Sequence, residues 1–246
     1  MKVTHYLLGY DNLKIIQDSD MFNFSIDSVL LPNFATINTK TKKILDIGCG
    51  NAPIPLILSQ KTNAQIIGVE IQKEVSEMAR ESVKINNLEN QIEIINDDIL
   101  KLKDKLETDS FDLITCNPPY FKVKDTSKFN KNDYKTIARH EVTLNLEQVL
   151  KIAKKLLKND ASIALVHRPE RLVDIIILMR QNNLEPKKLR FVYPKKGQNA
   201  NVILIEGTKN GKPGLKILEP LYIQDENGNY DKEITRRWKN ETAQLW

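Results

Sequence analysis

From Lys43 onward, short apolar runs rich in β-branched residues alternate with longer stretches of helical period, and few folds accept that alternation. The runs are residues 43–47, 65–70, 91–96, 111–117 and 162–167. Their short length and apolar content suit strands buried on both faces. Between them, residues 72–87 put Val75, Met78, Ala79 and Val83 on one helical face, and residues 146–157 and 170–182 also read as helices. The pattern predicts a doubly wound α/β fold around a mostly parallel sheet. After residue 183, two strand-like segments, 188–193 and 201–206, flank the turn residues Pro194 to Ala200 and predict a C-terminal antiparallel hairpin. The expected division is an N-terminal cap segment (1–42), the α/β domain (43–209) and a C-terminal tail packed on it (210–246).

At 246 residues, with 41% hydrophobic and 28% charged residues, the chain suits one globular domain and excludes long disorder, collagen-like repeats and coiled coils. His5, Asp11 and Lys14 interrupt the apolar residues of the first sixteen, so no signal peptide is expected. The densest apolar run, Ile175 to Met179, is far below a membrane span, and a cytoplasmic monomer without membrane contact is expected. The two cysteines, Cys49 and Cys116, each end a predicted buried strand, a place for a small apolar side chain, so neither a disulfide nor a metal is expected. A net charge of +5 favours polyanions without requiring one. The cations are clustered. Lys122, Lys124, Lys128, Lys131, Lys135 and Arg139 form one group, with Lys187, Lys188, Arg190, Lys195 and Lys196 as a second.

Three consecutive strand ends carry ligand-binding groups. Asp46-Ile47-Gly48-Cys49-Gly50 stands where the first parallel strand should end, and its glycines let the backbone turn sharply and approach a ligand. Glu70, twenty residues after Gly50, ends the second strand, where a carboxylate can accept both ribose hydroxyls of an adenosine. Asp97 and Asp98 close the third, placed to accept from an adenine amino group or to cap a helix. Dinucleotide enzymes share this layout. Here, however, Pro53 and Pro55 remove two N–H donors that a pyrophosphate needs, and Asp46 repels phosphate. A carboxylate beside the turn instead suits the cationic end of S-adenosylmethionine.

The fourth strand ends in Asn117-Pro118-Pro119-Tyr120, on the same sheet edge. The lone pair of an adenine amino or amide nitrogen is delocalised, so two fixed acceptors must draw its N–H groups toward tetrahedral geometry before it attacks a methyl group. The Asn117 side-chain oxygen and the Pro118 carbonyl can be that pair, preorganised by the two prolines. Tyr120 can stack on a planar substrate, with Phe121 as a second wall. The methyl donor is already electrophilic, so this chemistry calls for no strong general base and no metal.

Together these residues resemble class I methyltransferases with an Asn-Pro-Pro-Tyr motif, and more closely the bacterial adenine-N6 methyltransferases that modify valine tRNA in its anticodon loop. The resemblance runs from about Phe22 to about Gly207. It includes Phe24-Ser25-Ile26-Asp27-Ser28-Val29-Leu30-Leu31, Ala138-Arg139-His140-Glu141, His167-Arg168-Pro169-Glu170-Arg171 and Pro194-Lys195-Lys196-Gly197. It implies a Rossmann-like class I methyltransferase fold with a seven-stranded sheet. It also implies S-adenosylmethionine bound by Asp46, Gly48, Gly50, Glu70 and Asp98, and a target nitrogen held at Asn117, Pro118 and Tyr120. Two departures stand out: Ala52 and Asn159-Asp160 occupy places where relatives carry glycine.

The lysine-rich segment 121–143 follows the motif directly and is expected to grip the tRNA backbone. His140 within it is read as structural or RNA-contacting, since the chemistry does not call on it. Lys187 to Lys196 either extend that basic track or guard a strand edge, and Arg236-Arg237-Trp238 either contact RNA or pack the tail. The motif serves enzymes acting on other nitrogens, so methylation of an rRNA base or a protein glutamine is the alternative. A non-catalytic RNA-binding module is a third reading, and the intact Asn117 motif argues against it.

Overall fold

The computed structural model describes residues 2–18, 25–118, 144–231 and 234. Strands β3 (Lys43–Ile47), β4 (Gln65–Glu70), β5 (Ile92–Asn96), β6 (Phe111–Cys116) and β7 (Leu157–His167) are parallel neighbours in the order β5-β4-β3-β6-β7. An antiparallel pair, β8 (Leu184–Tyr193) and β9 (Val202–Lys209), continues the sheet from β7 through β9. These are the seven strands expected. Two more, β10 (Lys216–Ile217) and β11 (Leu221–Tyr222), pair parallel to β8, so the sheet has nine strands rather than seven. They come from the tail's apolar stretch and cover the β8 edge, which would otherwise present unpaired backbone groups.

Helices α2 (Pro53–Ser59), α3 (Lys73–Ile85), α4 (Ile99–Leu102) and α5 (Leu146–Leu156) follow β3, β4, β5 and β6 in sequence, and α6 (Leu172–Gln181) follows β7 after one 3-10 turn. Each strand feeds both faces of the sheet. Ile44, Leu113 and Ala164 enter the core layer shared with α2 and α3, whereas Leu45, Ile114 and Leu165 enter the layer shared with α5 and α6. Leu56, Ile57 and Leu58 of α2 are fully buried, each contributing about 1.5–3 kcal/mol of transfer free energy. Asn145 and Gln148 exchange side-chain and backbone hydrogen bonds (2.9 and 2.8 Å), a capping box that sets the start of α5.

The segment before β3 is more ordered than its sequence pattern implies. β1 (Lys2–Leu7) and β2 (Tyr10–Asp18) form an antiparallel hairpin, and α1 (Asp27–Phe34) packs on α2. On α3, Ser76 and Ser82 are buried beside Met78, Ala79 and Val83, while Val75 is only half-buried. Ser82 ties the hairpin to this helix, because the Ile16 amide of β2 donates to its Oγ at 3.0 Å.

Both departures from the glycine pattern sit at left-handed backbone positions. Ala52 has φ 72° and Asp160 φ 63°. Aspartate tolerates that region, while alanine there costs roughly 1 kcal/mol or more. Asp160 lies where β7 bulges against β6, the register passing from Phe111↔Leu157 to Leu113↔Ser162.

Candidate active site

The strand order reverses between β3 and β6, with β4 on one side of β3 and β6 on the other. In an open α/β sheet the crevice beyond the carboxyl ends at such a point is where ligands bind. Asp46, Glu70, Asn96 and Asn117 stand at these ends, brought level by the pairings Ile47↔Cys116, Ile47↔Val69 and Glu70↔Asn96. Glu70 and Asn117 are two strand spacings apart, roughly 10 Å.

Asp46 is completely buried. Thr115 Oγ1 donates to its Oδ1 at 2.6 Å, and its Oδ2 has no hydrogen-bond partner among the described residues. Burial pushes its carboxyl up to about 7; the Thr115 hydrogen bond lowers it and the Glu70 charge raises it. The Cys49 and Cys116 thiols are pushed up by burial first and by the Asp46 charge second, which keeps both protonated. As protonated thiols they are poor nucleophiles.

The turn after β3 is held from β4. Gly48 and Cys49 amides donate to Val69 O (2.9 and 3.0 Å), and the Gly50 amide donates to Glu70 Oε2 (3.1 Å). Gly48 and Gly50 have φ of 70° and 56°, so the backbone itself demands glycine. A Cβ at either would meet nothing within 4 Å, which leaves the space over the turn open. The other Glu70 oxygen accepts from the Gln72 amide at 2.9 Å, and Asn96 Nδ2 donates to the Glu70 and Ile71 carbonyls, locking the ends of β4 and β5 together. Asp98 caps α4 by accepting from the Leu100 amide (2.9 Å), and Asp97 Oδ1 accepts from the Asp98 amide (2.8 Å).

An orphaned buried oxygen on Asp46, an open glycine turn and the Glu70 carboxylate at the end of the neighbouring strand fit a ligand that presents a cation beside a nucleoside. S-adenosylmethionine is such a ligand.

Asn117 follows β6 directly, and its Nδ2 donates to Ser28 Oγ of α1 at 3.2 Å. The contact directs the amide nitrogen toward α1. Pro118 is half-buried beside it. Pro119, Tyr120, the segment 121–143 with His140, and Arg236, Arg237 and Trp238 lie outside the described residues. Ser28, Thr115 and Asn96 escaped the sequence reading. Ser28 lies 89 positions from its partner, and no local motif reports such a pairing.

The second basic cluster is largely consumed by the fold. Lys188 Nζ donates to Phe34 O and Thr36 Oγ1 (both 2.7 Å) and sits 3.6 Å from Glu206 Oε2. Lys187 donates to Lys212 O and Arg190 to Glu219 O (both 2.9 Å), tying the tail to β8. Among the described residues no group of three His, Cys, Asp or Glu side chains could hold a metal, and no helix is long and apolar enough to cross a membrane.

A family profile described as a methyltransferase domain matches residues 38–211. The tRNA1(Val) (adenine(37)-N6)-methyltransferase of Porphyromonas gingivalis (strain ATCC 33277) is 32% identical over 238 residues, 94% of this chain and 92% of that protein. The protein of the same name from Parabacteroides distasonis is 28% identical over 232 residues, 92% of this chain and 93% of that one. A solved structure, of a predicted O-methyltransferase, protein Atu636 from Agrobacterium tumefaciens, shares the fold at a TM-score of 0.66 and 17% identity, over 86% of this chain and 96% of that one. With the profile running from β3 through β9 and a relative 32% identical over nearly its whole length, the chain belongs to the methyltransferase domain family.

Proposed function

We propose that the chain transfers the methyl group of S-adenosylmethionine to the exocyclic nitrogen of an adenine in tRNA, the target being an anticodon-loop adenosine of valine tRNA. Asn117 carries this reading: it stands beyond β6, beside the strand that carries buried Asp46, with its amide nitrogen donating to Ser28. The relatives named for that reaction, matched over nearly the whole chain, support the substrate.

Asp46 Oδ2 accepts from the cofactor's ammonium group, Gly48 and Gly50 let the backbone lie against it, Glu70 accepts from the ribose hydroxyls and Asp98 from the adenine amino group. When bound, the cofactor supplies a methyl group on a positively charged sulfur. Asn117 Oδ1 and the Pro118 carbonyl accept the two N–H bonds of the target nitrogen, and Tyr120 stacks on its base. The lysines of segment 121–143 hold the RNA backbone, and a single-stranded loop lets the base swing out at low cost. A tRNA substrate puts the enzyme in the cytoplasm, and every proposed site residue lies in one chain, so a monomer suffices.

Two measurements bear on this reading. Purified protein incubated with labelled S-adenosylmethionine and, separately, total tRNA, ribosomal RNA and a protein extract from a strain lacking it should label tRNA alone. Label in protein would move the substrate to a glutamine amide. Second, Ser28→Ala removes an acceptor that orients the Asn117 amide nitrogen, so kcat should fall roughly 10-fold. Cofactor affinity and the KM for tRNA should stay within about 2-fold, and Ser28→Thr should restore kcat. Loss of binding in step with kcat would reduce Ser28 to a packing residue of α1.

A further inference from the structure

Two side-chain atoms among the described residues are buried without a hydrogen-bond partner: Asp46 Oδ2 and Gln17 Nε2. The first is an acceptor once Asp46 is ionised, and the second is a donor. Buried polar atoms are nearly always paired, so each asks for a partner that arrives with a ligand.

Both atoms lie toward the same end of the same core layer. Gln17 of β2 is 7% exposed and shares its strand face with Leu13 and Ile15. Those two belong to the cluster that holds Ile44 and Leu113, the residues two positions before Asp46 and Thr115 on their own strands. Strand β2 climbs along α3 toward the carboxyl edge of the sheet. Lys14 exchanges hydrogen bonds with Asn86 beyond the end of α3 (2.9 and 2.6 Å), and two residues later the Ile16 amide reaches Ser82, one turn back along the helix. At that level Asn51 Nδ2 donates to Ile16 O at 2.8 Å and staples β2 to the glycine turn. Gln17 is the next residue up, beside the turn that follows Gly50.

The methionine end of S-adenosylmethionine carries an ammonium and a carboxylate on one carbon, the complement of an orphan acceptor and an orphan donor. We infer that Gln17 Nε2 donates to the cofactor's carboxylate while Asp46 Oδ2 receives its ammonium. The inference rests on the cofactor reading above and goes further: the N-terminal hairpin is part of the cofactor site, and the site selects the amino-acid end of its ligand as well as the nucleoside.

The test is calorimetry on the full chain with two ligands: S-adenosylhomocysteine, and 5′-methylthioadenosine, which lacks the amino-acid end. Gln17→Leu keeps the bulk and removes the donor. It should weaken S-adenosylhomocysteine binding roughly 10- to 100-fold, the worth of a hydrogen bond to a charged group, and change methylthioadenosine binding less than about 2-fold. The ligand-free Tm should not fall, because no bond in the free protein is lost. Gln17→Glu, of the same shape, sets a carboxylate against a carboxylate and should weaken S-adenosylhomocysteine further, again sparing methylthioadenosine. Should Gln17→Leu fail to fold, the ratio of the two affinities in Gln17→Glu decides alone. An unchanged ratio in the variants overturns the role of Gln17, as does a wild type that binds both ligands equally. A wild type that binds neither overturns the cofactor reading itself.

Discussion

Asn117→Ala is expected to lower kcat for methyl transfer by roughly 10²- to 10³-fold, the cost of removing one preorganised acceptor from a reacting centre. S-adenosylmethionine binding should change little, because the residues proposed for the cofactor lie at or just beyond the ends of β3, β4 and β5, whereas Asn117, beyond β6, is proposed to meet the substrate. Stability should also change little. Asn117 is half-buried, and its contact with Ser28, at 3.2 Å between neutral groups, is a modest bond. Calorimetry with the cofactor, single-turnover rates with tRNA and a thermal melt separate the three. A variant that turns over at the wild-type rate would remove Asn117 from the chemistry.

A second large effect is expected at Asp46. Its carboxyl is raised to about 7 in the folded protein against an ordinary value of 3.8, chiefly by burial. The folded, ligand-free chain therefore holds a proton that the unfolded chain gives up. The stability linked to that proton is complete below about pH 3.8 and is lost as pH rises through about 7. A cationic ligand reverses the preference, since it binds the ionised form. Between pH 6 and 7.5 the affinity for S-adenosylmethionine should therefore rise roughly 8-fold, with proton release on binding. Above that range the ligand's own α-amine begins to deprotonate. Asp46→Asn should flatten this dependence and cost roughly 10²-fold or more in affinity at pH 7.5, since it breaks a buried charge pair. The same substitution should leave the ligand-free protein at least as stable as the wild type at pH 7.5, because a buried charge has been removed. Wild-type affinity independent of pH would contradict the assignment of Asp46 to the ammonium.

The sheet was legible wherever a strand is buried on both faces. β3 and β4 begin and end where their apolar runs do, and Gly48, Gly50 and Glu70 announce the edge because turn geometry and carboxylate spacing are local properties. The N-terminal hairpin was not legible. β2 is exposed at Asp11, Asn12 and Lys14, and its inward row Leu13, Ile15, Gln17 is blurred by buried Ile16, so neither strand period stands out. Its turn holds one residue that marks it, Gly9, at φ 81°. Helix α1 is buried at Asp27 through Pro32 and again at Phe34, which erases the amphipathic period, and Pro32 lies inside it. β10 and β11 are two residues each, too short to carry any period. The same distinction holds in the site. Asn117 and Asp46 sit in motifs whose chemistry is local, whereas Ser28, although inside the Phe24 to Leu31 motif, meets Asn117 only when α1 folds against the sheet, and Gln17 approaches the glycine turn only through β2.

Nucleoside mass spectrometry on an unmodified valine tRNA transcript, incubated with the protein and S-adenosylmethionine carrying a deuterated methyl group, tests the proposed reaction itself. One deuterated methyl is expected on the exocyclic nitrogen of an anticodon-loop adenosine with the wild type, and none with Asn117→Ala. A methyl on a ring nitrogen or on ribose, or equal labelling by the variant, would contradict it.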